Sequence, residues 1–263
     1  MSIVYDQLQQ PVNIQAQAKR IVSLVPSQTE LLYDLGLDQE VVGITKFCIH
    51  PAEWRTRKTI IGGTKQFDLE AIHSLKPDLI IGNKEENFQE GIETLMRDYP
   101  VWISDIYNLE DALNMIEQLG LLTQKKERAG QLVQQIQHQF SSISIFNGQR
   151  VLYLIWRKPW MAAGQNTFID TMLTMSGLIN CVVDERYPEL SASVIEQLNP
   201  DLVFLSSEPY PFKEKHMAEL QRVLPNAKTI LVDGEMFSWY GSRLLKFPAY
   251  LHSLSHYLNS NVV

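Results

Sequence analysis

The stretch "KPDLIIGNKEEN", Lys76 to Asn87, is answered much later by "NPDLVFLSSEPYPF", Asn199 to Phe212. Aligning Pro77 with Pro200 also matches Ile72 with Ile195, Leu75 with Leu198, Asp78 with Asp201 and Leu79 with Leu202. Upstream, "RIVSLVPSQTELLYDLG" from Arg20 pairs with "RVLYLIWRKPWMAAG" from Arg150, each opening on an apolar run of strand character. Downstream, "YPVWISD" at Tyr99 to Asp105 pairs with "NAKTILVD" at Asn226 to Asp233. The repeat is strand, helix, strand, helix, strand, at the scale of a domain rather than of a solenoid.

Short apolar runs alternating with amphipathic helices predict parallel strands joined by right-handed crossovers, with helices covering the sheet. In "FDLEAIHSLKPDLII", Asp68 is placed to cap a helix whose apolar face carries Leu69, Ile72 and Leu75, and Pro77 stops it before the strand. Ser191 through Phe204 follows the same plan. Between the halves, Thr123 to Ile143 contains Gly130 but no other glycine and no proline, and Ala129, Leu132, Val133, Ile136, Phe140 and Ile143 fall on one helical face. That predicts a helix about 30 Å long, a rigid connector packed across both halves. The expected fold class is α/β with mainly parallel sheets: an N-terminal lobe over 1–122, a bridging helix over 123–143 and a C-terminal lobe over 144–263.

Composition removes several functions. With 30 acidic against 23 basic residues, a net charge of -7 and no block of like charges, neither a nucleic acid nor an anionic membrane is an expected partner. The longest apolar runs, such as "VLYLIW" at Val151 to Trp156, are far too short to cross a bilayer. The N-terminus "MSIVYDQLQQPVNIQ" reaches its first basic residue at Lys19 and has no apolar core of a signal peptide, so cytoplasmic residence is expected, with a periplasmic one the alternative for a processed or engineered form. Cys48 and Cys181 form no CxxC and read as free thiols. No G-x-S-x-G elbow, HExxH, P-loop or dinucleotide fingerprint is present, and no residue is nominated as catalytic.

Ligands of parallel α/β sheets sit in loops at the carboxyl ends of the strands. The loops of the two halves are therefore expected to face one cleft, the scaffold repeating while the loops differ with the part of the ligand each touches. From the first half come "PSQTE" with Ser27, "KFCIHP" with His50, "GGTKQ" with Thr64 and Lys65, and "NKEEN" with Asn83 and Glu85. From the second come "WRKPWMAAG" with Trp156, Arg157 and Trp160, "ERYPELS" with Tyr187, "SSEPYPF" with Glu208 and Tyr210, and "GEMFSWYGSR" with Phe237, Trp239, Tyr240 and Arg243. Aromatic faces offer broad apolar contact and the cations stack or bind carboxylates, which suits a flat, partly anionic ligand; packing of some rings in a core under the loops is the competing account. His50 is the candidate for direct metal ligation, and Glu85, Glu86 and Glu208 are further ligand types.

The runs "RIVSLVPSQTELLYDLG", "FDLEAIHSLKPDLIIG" and "IEQLNPDLVFL", in that order around a central helix, resemble the iron-siderophore, haem and cobalamin substrate-binding proteins of ABC importers, the class III or helical-backbone type. The resemblance covers nearly the whole chain from about Val4 and implies two α/β lobes bridged by one long helix, a ligand pinched between them and limited hinge motion. It implies a monomeric, non-catalytic binder with no intrinsic cofactor, whose ligand is a metal chelate. Cobalamin-binding members are the nearest in appearance because aromatic loops suit a corrin ring, with haem and ferric siderophores open. Docking on an ABC permease is implied through one surface carboxylate per lobe. Glu70 matches the first, whereas the alignment puts Ser193 at the second, with Glu189 and Glu196 nearby. Two alternatives use the same fold differently: a cytoplasmic sensor, cofactor chaperone or enzyme, and a metal-cluster dehydratase-type enzyme, for which two cysteines supply few ligands.

Overall fold

A computed structural model describes residues 2–14 and 17–260. Two compact units emerge: Met1–Ile106 with Glu110–Ile136 and Tyr240–Arg243, and Tyr107–Leu109 with Gln137–Trp239 and Leu244–Val263. In chain order the earlier strands are β1 (Ser2–Tyr5), β2 (Pro11–Ile14), β3 (Ile21–Ser23), β4 (Val41–Ile44), β5 (Thr59–Ile60), β6 (Leu79–Asn83) and β7 (Val101–Ser104). The helices among and after them are α1 (Pro26–Asp34), α2 (Trp54–Arg57), α3 (Leu69–Leu75), α4 (Gln89–Met96), α5 (Leu109–Leu122) and α6 (Lys126–Phe140). The later strands are β8 (Arg150–Trp156), β9 (Trp160–Ala162), β10 (Ile179–Asn180), β11 (Glu189–Leu190), β12 (Leu202–Ser206) and β13 (Lys228–Val232). With them come α7 (Phe168–Met175), α8 (Ala192–Leu198), α9 (Glu214–Val223), α10 (Gly234–Ser238), a 3-10 turn at Ser242–Lys246 and α11 (Phe247–Ser260).

The repeated words of the sequence become a repeated clasp. In the first unit Asp68 caps α3 by accepting from the Ala71 amide at 3.0 Å, and Lys76 closes it in a left-handed conformation (φ 45°). In the second, Ser191 caps α8 by accepting from the Val194 amide at 3.2 Å, and Asn199 closes it at φ 41°. The proline that follows each cannot continue a helix. Next, the Asp78 carboxylate accepts from the amides of Lys19 and Arg20, both at 2.8 Å, and Asp201 accepts from the Arg150 amide at 2.8 Å. Arg20 Nε donates back to the Leu75 carbonyl at 2.7 Å, and Arg150 Nη2 to the Leu198 carbonyl at 2.9 Å. Each clasp joins the start of one central strand to the loop that opens its neighbour, which sets the parallel registers Ile21 against Leu79 and Val151 against Leu202.

The first unit's main sheet has the order β5-β4-β3-β6-β7, with every pairing parallel, beside a separate antiparallel pair β1-β2. The second unit's sheet has the order β11-β9-β8-β12-β13, with β10 also on β8. There β8, β10, β12 and β13 are parallel, whereas β9 runs antiparallel to β8 and β11 antiparallel to β9. β6 and β12 are buried along their whole length, so both faces are covered and their sequences read as unbroken apolar runs rather than alternating ones. Ile80, Val22 and Ile72 belong to one core cluster, and Val203, Leu152 and Ile195 to the corresponding cluster of the other unit.

The central helix is shorter than its periodicity predicts. α6 has 15 residues, about 22 Å at 1.5 Å per residue, because Gln124 is left-handed (φ 58°) and breaks the chain from α5, and because helical structure ends at Phe140. Gln124 and Ser141 carry no glycine or proline signal, so neither end is marked by composition.

Candidate functional site

In the first unit the loops beyond β3, β5 and β6 are tied to one another by amide side chains. Asn83 is buried; its Nδ2 donates to Ser104 Oγ at 3.0 Å and its Oδ1 accepts from the amides of Glu85 at 2.8 Å and Glu86 at 3.1 Å. Asn87 Nδ2 donates to the Thr64 carbonyl at 2.9 Å, joining the "GGTKQ" loop to the "NKEEN" loop. Thr64 is half-buried and Lys65 exposed on that loop. Ser27 is buried in the first turn of α1 behind Pro26. Asn83 therefore shapes the loop that carries Glu85 and Glu86.

Tyr240–Arg243 also belongs to the first unit. Arg243 makes a two-pronged ion pair with Glu30, 2.8 Å from Nε to Oε2 and 3.0 Å from Nη2 to Oε1, with both side chains 6% exposed. Tyr240 donates to Glu86 Oε1 at 2.9 Å. Between them Gly241 holds φ 135°, a conformation that disfavours any side chain, and a Cβ there would stand 3.4 Å from Leu31 Cβ. The positive charge of Arg243 is thus matched internally by a buried carboxylate.

His50 is half-buried beside Pro51. Among the described residues no three His, Cys, Asp or Glu side chains converge to hold a metal ion. Cys48 and Cys181 are both buried free thiols. Cys48 Sγ lies 3.1 Å from Thr29 Oγ1 and 3.2 Å from Thr45 Oγ1, and burial pushes its thiol up from the usual value.

In the second unit the turn after β8 and the loop after β12 build a continuous aromatic run. Trp156, 39% exposed, meets Tyr210 edge-on at 5.5 Å; Tyr210 meets Phe212 at 4.8 Å; Phe212 stacks parallel on Trp160 at 6.1 Å. The Arg157 guanidinium lies 5.3 Å from the Trp160 ring and grips Glu219 at 2.6 and 2.9 Å. The bond from Arg157 holds the Glu219 carboxyl below its usual value, and Arg157 is raised in turn. Trp156, Arg157, Trp160 and Tyr210, nominated separately by sequence, form one cluster.

A second polar centre follows β12. Glu208 Oε1 accepts from Ser238 Oγ at 2.8 Å and from Trp239 Nε1 at 2.9 Å. Burial pushes its carboxyl up, with Glu235 and Asp233 adding to the effect and the two donors opposing it. Phe237 is fully buried and packs on Tyr153, Phe247 and Tyr250, a core position beneath the loops. Tyr187 is half-buried with the Arg186 guanidinium 5.7 Å from its ring.

Residues 21–227 match the model of the periplasmic binding protein family. The chain belongs to that family. It is 28% identical over 212 residues to YvrC, an ABC transporter substrate-binding lipoprotein of Bacillus subtilis (strain 168), covering 75% of this chain and 67% of the relative. It is 24% identical over 240 residues to the vitamin B12-binding protein of Pectobacterium carotovorum subsp. carotovorum (strain PC1), covering 88% and 86%. The crystal structure of the petrobactin-binding protein YclQ of Bacillus subtilis superposes with a TM-score of 0.80 at 16% identity, over 96% of this chain and 97% of that one. The α/β fold with two mainly parallel sheets is the fold of these periplasmic binding proteins.

Membership corrects the expected location. The expected cytoplasmic residence conflicts with the family, which is one of periplasmic binding proteins, and with a relative that is a lipoprotein. An N-terminal segment reports on targeting only, while membership rests on the folded body at residues 21–227, so the latter overrides it. No helix of the described residues is long and apolar enough to cross a membrane.

Two site neighbours of this periplasmic binding protein carry no motif. Phe47 is 52% exposed beyond β4, with the Lys46 ammonium 5.2 Å from its ring centroid. An aromatic residue beside a lysine just past an apolar strand was its available signal. His216 is buried on α9, 5.5 Å from both Tyr210 and Phe212. Its position in a polar helix start, "KEKH", disguises its role in the aromatic run.

Proposed function

We propose that this protein is the non-catalytic substrate-binding component of an ABC importer for a metal chelate, a corrinoid or an iron(III) complex such as haem or a ferric siderophore. The exposed Trp156 ring with the half-buried Tyr210 and Trp160, laid over the buried Phe212 at the carboxyl ends of β8 and β12, carries this reading, because these rings offer apolar contact where α/β sheets hold ligands. Ser27, His50, Thr64, Lys65, Asn83 and Glu85 are proposed to contribute from the first unit, with His50 the candidate for a direct bond to the chelated metal. Residues 1–122 and 144–263 are proposed as the lobes and 123–143 as the connecting segment. The protein acts as a monomer and delivers its ligand to a permease, with Glu70, exposed in the first turn of α3, as one docking carboxylate.

Thermal unfolding with cobalamin, haem and several ferric siderophores added one at a time tests the proposal. A cognate chelate at 100 times its dissociation constant stabilises the fold by about 2.7 kcal/mol and raises the melting temperature by a few degrees. No shift with any chelate, together with no spectral change on titration, overturns it.

A further inference from the structure

The two arginines nominated for recognising an anionic ligand are each matched within their own unit, Arg157 by Glu219 and Arg243 by Glu30. In the loop after β12 the polar group fixed in place is instead a carboxylate. Ser238 and Trp239 both donate to Glu208 Oε1, at 2.8 and 2.9 Å, which orients the carboxylate. Its backbone is held as well: Ser206 Oγ donates to the Glu208 carbonyl at 2.5 Å. Gly234 approaches so closely that a Cβ there would stand 2.7 Å from Glu208 Cγ and 2.4 Å from Ser206 Oγ, so only glycine leaves room for this arrangement. Oε2 has no hydrogen-bond or ion-pair partner among the described residues, and Asp233 and Glu235 are acidic neighbours.

A carboxylate held rigidly by donors on one oxygen keeps full acceptor capacity on the other. It gains a charge-assisted bond from a ligand donor, and it leaves a ligand carboxylate both unpaired and repelled. We propose that Glu208 is a specificity-determining residue whose Oε2 accepts from the ligand, so that the second unit selects chelates rimmed with neutral hydrogen-bond donors such as carboxamides, or with positive charge, and rejects chelates rimmed with carboxylates. This rests on the binding function proposed above and narrows its ligand class.

Binding of matched chelate pairs to the full chain, followed by tryptophan quenching and calorimetry, decides it. The pairs are dicyanocobinamide against dicyanocobyrinic acid, hemin bisamide against hemin, and ferrioxamine B against ferric citrate. Within whichever pair binds, the amide or ammonium member is expected to bind at least tenfold more tightly. Glu208→Gln is expected to weaken that member about tenfold and to leave its carboxylate counterpart unchanged or tighter, with far-UV circular dichroism reporting the fold. Equal or tighter binding of the carboxylate members by the wild-type chain overturns the role of Glu208 while leaving the binding function intact, and so does an unchanged affinity of folded Glu208→Gln. If Glu208→Gln does not fold, the wild-type ranking alone decides. Binding of none of the six removes the binding function itself, and this inference with it.

Discussion

β3 and β8 begin alike and end differently. Both are clasped at their start by an aspartate two residues past a left-handed helix end, Asp78 in one unit and Asp201 in the other. At their ends the first enters α1 through Pro26, whereas the second turns at Lys158 (φ 69°) and returns antiparallel as β9. The clasp serves backbone groups, whose needs are the same in any parallel sheet. The strand ends serve whatever the loops must hold, so one unit acquired a helix and the other an aromatic hairpin. The scaffold is repeated where backbone hydrogen bonds must be satisfied, and it diverges at the strand ends, where the loops of the two units differ.

The largest test of this contrast lies in the Glu30–Arg243 pair, which has no counterpart in the repeat. Removing one partner of a buried ion pair leaves the other charge uncompensated, so Arg243→Ala is expected to cost about 3–5 kcal/mol in urea unfolding. Glu30→Met combined with Arg243→Leu is expected to recover most of that loss, because an apolar pair carries no desolvation penalty. A double variant as unstable as the single one would mean that the arginine acts through some other contact.

The clasps come next. Hydrogen bonds to a charged acceptor contribute about 1.5–3 kcal/mol each. Asp78 accepts from two strand amides and Asp201 from one, so Asp78→Ala is expected to cost about 3 kcal/mol and Asp201→Ala about 1.5. Equal losses would show that the two halves rely on their clasps to the same degree despite the different bond counts. By contrast, Trp156→Ala removes a partly exposed ring and is expected to cost about 1 kcal/mol of stability or less while weakening chelate binding about tenfold.

How far such effects are legible in sequence follows the same division. Asp68, Pro77 and Asp78 recur with Ser191, Pro200 and Asp201 because caps and helix stops demand particular residue types at fixed offsets, and those offsets survive in the text. The breaks at Gln124 and Ser141 do not, since neither position carries the glycine or proline that marks a helix end in a sequence. In the site, Trp156, Trp160 and Tyr210 announce themselves as aromatic residues in polar loops. The neutralisation of Arg157 and Arg243 does not, because Glu219 and Glu30 lie 62 and 213 positions away in the chain. Charge read from a loop alone therefore misses the internal carboxylate that pairs with each arginine.

The smallest expected effect is the most specific to the aromatic unit. His216 Nδ1 accepts from the Lys213 amide at 2.9 Å, which places the proton of the neutral ring on Nε2, 3.4 Å from the Tyr210 hydroxyl. Burial depresses its pKa below the usual 6.5, and Lys215, Arg157 and Lys213 add to the effect while Glu219 opposes it. A histidine held neutral in the folded state takes up its proton first in the unfolded state. Its contribution to stability is therefore constant well above pH 6.5, falls as the pH drops through 6.5, and levels off below the depressed folded value. Urea midpoints at pH 5, 6, 7 and 8, compared with those of His216→Gln, isolate this term from every other titrating group. The difference between the two proteins should shrink on acidification, and a difference that is flat across that range would mean that His216 titrates alike in the folded and unfolded chains. Because protonation also removes the acceptor that caps α9 beneath Tyr210 and Phe212, near-UV circular dichroism should change over the lower, folded-state titration in the wild-type chain and not in His216→Gln.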